Sequence, residues 1–207
     1  MRNKWKWAVA LAATPLLFAC GDSSTGAGMG TMTVKMTDAP FAADSVRSVS
    51  VFVVRVDGRT ADVDSATADA NTTDGSNTDG WTTLGAPNQT FDLVTLTNGA
   101  SVTLGTDQIP AGTYQGFRLI IDQSKSTVTL KDGTVLTATS NPGILFPSAG
   151  RSGIKIVLSS PVVVNANATT NLLVDFDLAN SFALRGSTIA SAGLIFKPVI
   201  RASVTAQ

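Results

Sequence analysis

Residues 31–37 read TMTVKMT, and in this stretch large apolar side chains alternate strictly with polar ones. Met32, Val34 and Met36 fall on one side of an extended chain, whereas the threonines and Lys35 fall on the other. This period of two predicts a β-strand with one buried face. Residues 46–56 form a valine-rich run with VFVV at its centre, which predicts a strand covered on both faces.

The rest of the chain repeats such short apolar segments, separated by turn signals. Further strands are predicted at residues 90–96, 100–104, 113–122, 127–130, 154–158, 161–165, 171–178 and 193–204. Turn sequences such as Asn98-Gly99 and Asn141-Pro142-Gly143 lie between them. No apolar segment keeps helical spacing for three turns, and only residues 179–184 suit a short helical turn.

Many short strands with little helix favour an all-β fold. We predict an antiparallel two-sheet β-sandwich, immunoglobulin-like or prealbumin-like, over residues 31–207. A closed barrel is the alternative. Pro198 lies inside the last apolar run, and proline cannot donate to a strand ladder. The final strand is therefore expected at a sheet edge or with a bulge at Pro198.

The composition excludes several kinds of chemistry. The 207 residues include no histidine and one cysteine, Cys20, and all fifteen acidic side chains are aspartates. The chain therefore has no imidazole for a catalytic triad or zinc site, and no intrachain disulfide. Fifteen basic side chains give a formal net charge of zero, and no basic run marks a nucleic-acid binder. We predict a protein that is not an enzyme and binds no nucleic acid.

The first twenty residues have the pattern of a secretory signal. Arg2, Lys4 and Lys6 precede an apolar run, residues 7–19, that is too short to span a bilayer. The sequence LFAC at residues 17–20 resembles the lipobox of bacterial lipoproteins, in which the cysteine carries the lipid. The resemblance implies a signal peptide over residues 1–19 and a lipid anchor on Cys20 that holds the protein on a membrane.

Residues 20–30 are predicted to be this lipidated cysteine and a flexible tether, because only Met29 among them is a large apolar residue. An aspartate after the cysteine would resemble an inner-membrane retention signal. Gly21 stands there instead, which implies the outer membrane. Cleavage of the signal peptide would remove Arg2, Lys4 and Lys6 and no acidic residue. Twelve basic and fifteen acidic side chains would then remain. The mature protein is expected to be a mildly acidic monomer.

Residues 57–80, DGRTADVDSATADANTTDGSNTDG, are predicted to be an inserted loop between strands. They carry six aspartates, one arginine and almost nothing able to pack in a core. A loop of this length and composition is either disordered or functional. In the functional case calcium or another ligand orders the loop. The metal ligands to test are then Asp62, Asp64, Asp69, Asp74 and Asp79.

Asp175 and Asp177 lie two residues apart on a predicted strand, so both point to one face. Three interpretations are open. The pair bonds to backbone N–H groups, or binds calcium with Asp38 or Asp92, or supplies the acid and base of a glycoside hydrolase. The structural interpretation is favoured, because nothing in the sequence indicates the raised pKa that a catalytic acid needs.

Trp81 and Tyr114 are candidate ligand-binding residues, because exposed aromatic rings on a sandwich stack on sugars. Trp81 is the only tryptophan after Cys20, and Tyr114 is the only tyrosine of the chain. The ordinary alternative, which we favour, is that Trp81 caps the core beside the insert. Tyr114 would then pack across a hairpin with its hydroxyl bonded to the backbone.

Seven short motifs are spaced along most of the chain. They are Thr37-Asp38-Ala39-Pro40, Phe91-Asp92-Leu93, Leu96-Thr97-Asn98-Gly99, Ile109-Pro110-Ala111-Gly112-Thr113-Tyr114 with Arg118-Leu119, Ser152-Gly153-Ile154-Lys155, Asp175-Phe176-Asp177 and Lys197-Pro198-Val199-Ile200-Arg201. In this order they resemble the bacterial lipoprotein family called domain of unknown function 4382, over about residues 31–203. The PAGTY turn, residues 110–114, is also similar to the hairpin of transthyretin-like and carboxypeptidase-regulatory-like sandwiches. The family has no established activity, so the resemblance implies no catalytic residue.

The sequence thus predicts a lipid-anchored cell-envelope protein that acts as a non-catalytic binding or structural module. Its expected partners are the membrane, through the lipid, and a polysaccharide bound in an adhesion role. The alternatives are calcium-dependent binding and a structural contact with another envelope protein. The last of these predicts a contiguous apolar patch or an open edge strand, above all the strand that contains Pro198.

Overall fold

The computed structural model describes residues 28–38, 45–60, 81–147 and 153–205, and most of these lie in strands. The strands are β1 (Met29–Asp38), β2 (Val46–Thr60), β3 (Trp81–Gly85), β4 (Gln89–Asp92), β5 (Val102–Pro110), β6 (Gly112–Leu130), β7 (Val135–Leu136), β8 (Ile144–Leu145), β9 (Ile154–Leu158), β10 (Val162–Val164), β11 (Thr169–Phe176), β12 (Phe182–Leu184), β13 (Leu194–Phe196) and β14 (Ile200–Thr205). Two one-turn helices, α1 (Leu178–Ser181) and α2 (Ile189–Ala192), and a 3₁₀ helix at Leu93–Leu96 complete the described elements. The all-β prediction is confirmed.

The two strands predicted with most detail form as the alternation requires. In β1 the side chains of Met32, Val34 and Met36 are fully buried, and Lys35 is exposed. In β2 the valines at 49, 51 and 53 are buried, while Phe52 and Val54 on the opposite face are half-buried. Apolar burial of this kind is the main stabilising term of a domain core.

Eleven of the described strands belong to one large sheet. Its main path runs in the order β3-β2-β6-β9-β14-β11-β1-β5, with β4 attached to β2, and β7 and β10 attached to β6. The strands β12, β13 and β8 form a small second sheet. Strand β9 joins the two halves of the large sheet, because Ile154–Ile156 pair with β6 while Val157 and Leu158 pair with β14.

The prediction of purely antiparallel pairing is wrong, because the sheets are mixed. Strand β1 runs parallel to β11, β9 runs parallel to β14, and β8 runs parallel to β13. In the first of these pairs Thr31 lies opposite Thr169. The two paired strands are therefore separated along the sequence by most of the domain. A residue pattern gives the buried face of a strand but not the identity or direction of its partner.

The two ends of the main strand path approach each other at two glycines. A Cβ atom added to Gly85 on β3 would lie 2.7 Å from the Cα atom of Gly105 on β5. Real Cβ atoms do not come this close to a backbone, so both positions require glycine for the two backbones to pack. The end strands of the path are therefore placed against each other.

Several strand predictions are corrected by the structure. Residues 113–122 and 127–130, predicted as two strands, belong to the single strand β6. Residues 93–96 form a 3₁₀ helix, because the carboxylate of Asp92 caps it by accepting from the N–H of Val94 at 3.2 Å. Residues 193–204 form two strands instead of one. Residues 197–199 carry the chain from β13 in the small sheet to β14 in the large one. Strand β14 pairs with both β9 and β11, so the prediction that it is an open edge strand is wrong.

Candidate functional site

A fully buried aspartate, Asp57, is the centre of a charged cluster on the outer face of β2, β3 and β6. Its carboxylate accepts from Nε of Arg55 at 2.9 and 3.1 Å and from Nε of Arg118 at 2.8 Å. The hydroxyl of Thr83 also donates to it, at 3.2 Å. Strand pairing explains the geometry, because Asp57 lies opposite Arg118 on one side and Thr83 on the other.

Trp81 lies on this cluster, in contact with two guanidinium groups. The central carbon of Arg118 lies 4.4 Å from the centroid of the indole ring, and that of Arg59 lies 5.3 Å from it. The ring extends across β2 towards Gly116 on β6, where an added Cβ would lie 3.6 Å from Cη2 of the indole. The side chain is half-buried, so part of the ring faces outwards. We call Asp57, Arg55, Arg59, Arg118 and Trp81 the Trp81 cluster.

The Trp81 cluster has more positive than negative charge. Three arginines surround the one carboxylate, and the exposed Lys155 of β9 lies next to Arg118 in the strand register. Arg59 and Lys155 have no ion-pair partner among the described residues. Nη2 of Arg55 is buried and has no hydrogen-bond partner within the same ranges. Donor capacity therefore remains in the cluster after Asp57 is satisfied.

The predicted insert begins later than the sequence suggested. Residues 57–60 are the last residues of β2, and Asp57 is a buried partner of two arginines, not a loop residue. The remaining insert residues, 61–80, lie outside the described residues. These include the proposed calcium ligands Asp62, Asp64, Asp69, Asp74 and Asp79. The signal peptide, Cys20 and most of the tether also lie outside the described ranges.

Tyr114 is fully buried and is therefore not placed to stack on a sugar. Its hydroxyl donates to the carbonyl oxygen of Pro110 at 3.0 Å, and its ring lies 6.1 Å from that of Phe117. This is the hairpin packing that the ordinary interpretation predicts. Burial raises the pKa of the Tyr114 hydroxyl above its usual value, because the phenolate is poorly solvated there.

Asp177 is a helix cap in the structure. Strand β11 ends at Phe176, and the carboxylate of Asp177 accepts from the backbone N–H of Asn180 at 3.1 Å and from its side-chain amide at 2.8 Å. Asp175, two residues earlier, lies opposite Arg201 and Thr37 in the strand register, beside a groove of about 410 Å³. For Asp177 the structure agrees with the structural interpretation of the pair.

Asp38 and Asp92, which the calcium interpretation of the Asp175 and Asp177 pair would add as ligands, have separate structural roles. Asp38 is buried and accepts from the N–H of Leu178 at 3.1 Å. Asp92 accepts from the N–H of Val49 at 3.1 Å as well as capping the 3₁₀ helix. Within residues 28–38, 45–60, 81–147 and 153–205 no three metal-ligating side chains come together. In the same ranges no helix is long and apolar enough to cross a membrane.

Comparison with known proteins gives one match. The model of the family described as domain of unknown function DUF4382 matches residues 29–198, which is most of the chain. The chain belongs to the DUF4382 family. No curated protein and no solved structure matches it.

Several of the motifs that resembled the DUF4382 family form structural contacts in this member. Asp38, Asp92 and Asp177 bond to backbone N–H groups at the ends of strands, and Tyr114 closes its hairpin. Arg118 is different, because it connects a motif to the Trp81 cluster through Asp57. Lys155, from the Ser152–Lys155 motif, lies opposite Arg118 in the strand register, so two motif residues belong to this face.

The cluster contains residues that the sequence analysis did not select. Arg55, Arg59 and Arg118 were not named as site residues, and Asp57 was assigned to the loop. A signal was present, because Arg55, Asp57 and Arg59 occupy alternate positions directly after a buried valine run. If the strand is continued by four residues, this spacing places all three side chains on one face.

Proposed function

We propose that this DUF4382 protein is a lipid-anchored cell-envelope module that binds carbohydrate, without catalysis, through the Trp81 cluster. The observation that supports the proposal is Trp81 itself. Its indole is half-buried and lies against two arginines on a sheet face. An aromatic ring with charged hydrogen-bonding groups around it suits a sugar ring, whose C–H face stacks while its hydroxyls bond.

The anchor part of the proposal comes from the sequence before the domain. Residues 17–20 resemble a lipobox, and the lipid on Cys20 would hold the domain on the outer membrane. The first described strand, β1, begins at Met29, only nine residues after the cysteine. The domain and its binding face would therefore work close to the membrane surface.

We also infer that the strands form two packed layers of a β-sandwich, as in immunoglobulin-like or prealbumin-like domains. One layer would contain β3, β2 and β6, and the other β14, β11, β1 and β5, with β9 joining them. The buried apolar side chains of both sets belong to one cluster, which supports a single core between two layers. Such a scaffold holds the Trp81 cluster rigid on an outer face.

The test of carbohydrate binding is a glycan-array screen of the full-length chain in detergent, with calcium and with a chelator. We expect binding that is lost in Trp81→Ala. The control variant Leu184→Ala removes an exposed apolar side chain of the small sheet and should bind as the unchanged protein does. The proposal would be contradicted if no glycan on the array bound the protein. Loss of binding with the chelator would instead direct attention to the aspartates between residues 61 and 80.

The test of anchoring is separate. We expect Cys20→Ser to abolish labelling of the protein by a fatty-acid probe in cells and to release it from the membrane fraction. An unmodified Cys20 in the natural chain would contradict the lipid anchor while leaving the binding face unaffected.

A further inference from the structure

We infer that the Trp81 cluster selects carbohydrates that carry acidic groups, carboxylates or sulfates, over neutral ones. This inference rests on the proposed carbohydrate binding and names the ligand class of the same site. The binding groups are Arg59, Arg118 and Lys155, with Trp81 as the stacking platform.

The first argument is the charge of the face. Arg55, Arg59, Arg118 and Lys155 lie on neighbouring positions of β2, β6 and β9, and Asp57 is the one carboxylate bonded within this group. The described part of the face therefore carries an excess of cations, although the mature chain as a whole has more acidic than basic residues. An anionic ligand would be attracted to this face.

The second argument is that two of the cations, Arg118 and Arg59, are held by contacts in the structure. Arg118 donates through Nε to buried Asp57, and its central guanidinium carbon lies 4.4 Å from the centroid of the Trp81 indole. Arg59 contacts the same ring. A guanidinium group held in this way keeps its Nη groups for bidentate bonds to a carboxylate or sulfate, and little side-chain entropy is lost when the ligand binds.

The same two features favour a polysaccharide over an anionic membrane surface as the source of the acidic groups. Attraction to lipid headgroups depends on the number of cations and needs no fixed arrangement. Here Arg118 is held by a buried carboxylate and an aromatic ring, and Arg59 contacts the same ring. This is the arrangement expected where a single anionic group and an adjoining sugar ring are recognised together.

The experiment compares polygalacturonate with the same polymer after complete methyl esterification, which removes the charges and keeps the sugar backbone. Full-length protein in detergent is titrated with each, at low and at raised salt. We expect the acidic form to bind at least about tenfold more tightly, since a charge-assisted hydrogen bond is stronger than a neutral one. Raised salt should reduce this difference.

Single substitutions test whether the preference for the acidic polymer depends on the cations beside Trp81. Arg59→Gln and Lys155→Gln should each weaken binding of the acidic polymer by a larger factor than binding of the ester. Neither residue bonds to Asp57 in the structure, so the fold should be kept. Lys35→Gln is the matched control, because Lys35 is an exposed lysine on β1, in the other half of the sheet. The aspartates between residues 61 and 80 are unchanged in every variant.

Each outcome decides between the proposals. Equal affinity for the two polymers would overturn the acidic preference and leave the carbohydrate-binding proposal standing. No binding of either polymer would overturn the acidic preference, and no binding of any glycan on the array would overturn both proposals. An effect of Lys35→Gln equal to that of Arg59→Gln would show general charge attraction and also overturn the inference. Binding to vesicles of anionic lipid, lost in Arg59→Gln and stronger than binding to the polymer, would replace the polysaccharide by a membrane surface.

Discussion

The face around Asp57 and the corner around Asp177 both place an aspartate among hydrogen-bond donors, but the donors differ in charge. Asp57 is fully buried and bonds to two guanidinium groups, whereas Asp177 bonds to a backbone N–H and a neutral amide. At the corner, Ser181 is also buried and connects the carbonyl of Asp177 to the N–H of Val199. In both regions the distances between the donor and acceptor atoms of these contacts lie between 2.6 and 3.1 Å.

The difference in donors distinguishes a candidate binding surface, around Asp57, from a purely structural contact, around Asp177. At the corner each donor meets an acceptor of the fold itself, so the contacts hold the end of β11 against residues 197–199. On the Asp57 face, one carboxylate cannot use all the donors of three arginines, so donors remain for an external partner. A buried carboxylate is therefore most informative about function when its partners have donors to spare.

The largest expected effect is that of Asp57→Asn, which removes the negative charge and keeps the shape of the side chain. Arg55 and Arg118 would then be buried next to a neutral amide. We expect the free energy of unfolding to fall by about 3–5 kcal/mol, the usual cost of removing one partner of a buried ion pair. Urea denaturation followed by circular dichroism measures it. Asp107→Asn on exposed β5 is the control and should change stability little.

At the corner, Ser181→Ala should have the next largest effect. The serine is fully buried, its hydroxyl donates to the carbonyl of Asp177 at 2.6 Å, and it accepts from the N–H of Val199 at 2.9 Å. Its removal leaves the carbonyl of Asp177 and the N–H of Val199, both part-buried, without this hydrogen-bond partner, and we expect a loss of about 1–3 kcal/mol in the same denaturation assay. An exposed serine, Ser203, gives the control variant. A loss no larger than that of Ser203→Ala would show that the corner is not held by this contact.

Tyr114, which lies in the core against Gly58 beneath the cluster, gives a test that depends on pH. Because burial raises its pKa, the neutral phenol contributes stability that is complete below pH ~10, the usual value. That contribution is lost as pH rises through the raised pKa. Tyr114→Phe should cost about 1 kcal/mol at neutral pH, from the lost bond to Pro110, and should lessen the alkaline loss of stability.

Absorbance of the phenolate reports this titration directly, since Tyr114 is the only tyrosine. An ordinary titration midpoint in the folded protein would contradict the buried position of the hydroxyl.

The smallest change in the free energy of unfolding is expected for Asp177→Asn. It gives the clearest contrast with Asp57→Asn, because the substitution is the same. Asparagine is as good a helix cap as aspartate, so Asp177→Asn should leave the free energy of unfolding nearly unchanged, whereas Asp177→Ala should lower it by about 1 kcal/mol. The same aspartate-to-asparagine change is thus expected to be severe at position 57 and nearly silent at 177. Equal effects at the two positions would contradict the distinction between the two regions.

Local pattern identified most of the strands but not their partners. The alternation around Val34 gives β1, whereas Pro198, expected at a sheet edge or a bulge within one strand, lies in a break between two strands. At that break the chain passes from the small sheet, in β13, to the large sheet, in β14. This could not be predicted, because a side-chain period of two carries no information about which strand lies alongside. The parallel pairing of β1 with β11 could not be predicted for the same reason.

The site was harder to predict because its residues are ordinary when taken singly. Trp81 was identified by its rarity, but Asp57 begins a polar stretch and therefore looked like part of the loop. Only the pairing of β2 with β6 brings Asp57 opposite Arg118. The identity of the cluster is thus a property of strand register, which the sequence does not display.

The pairing of β1 with β11 also determines when the domain can assemble. Met32 and Met36, among the most deeply buried side chains, lie on a strand whose parallel neighbour is made only after most of the chain has been synthesised. Contacts between such distant segments slow folding, because a long loop must close before they form. A chain that stopped before Thr169 would leave β1 paired on the β5 side alone, with its other backbone edge open to neighbouring chains.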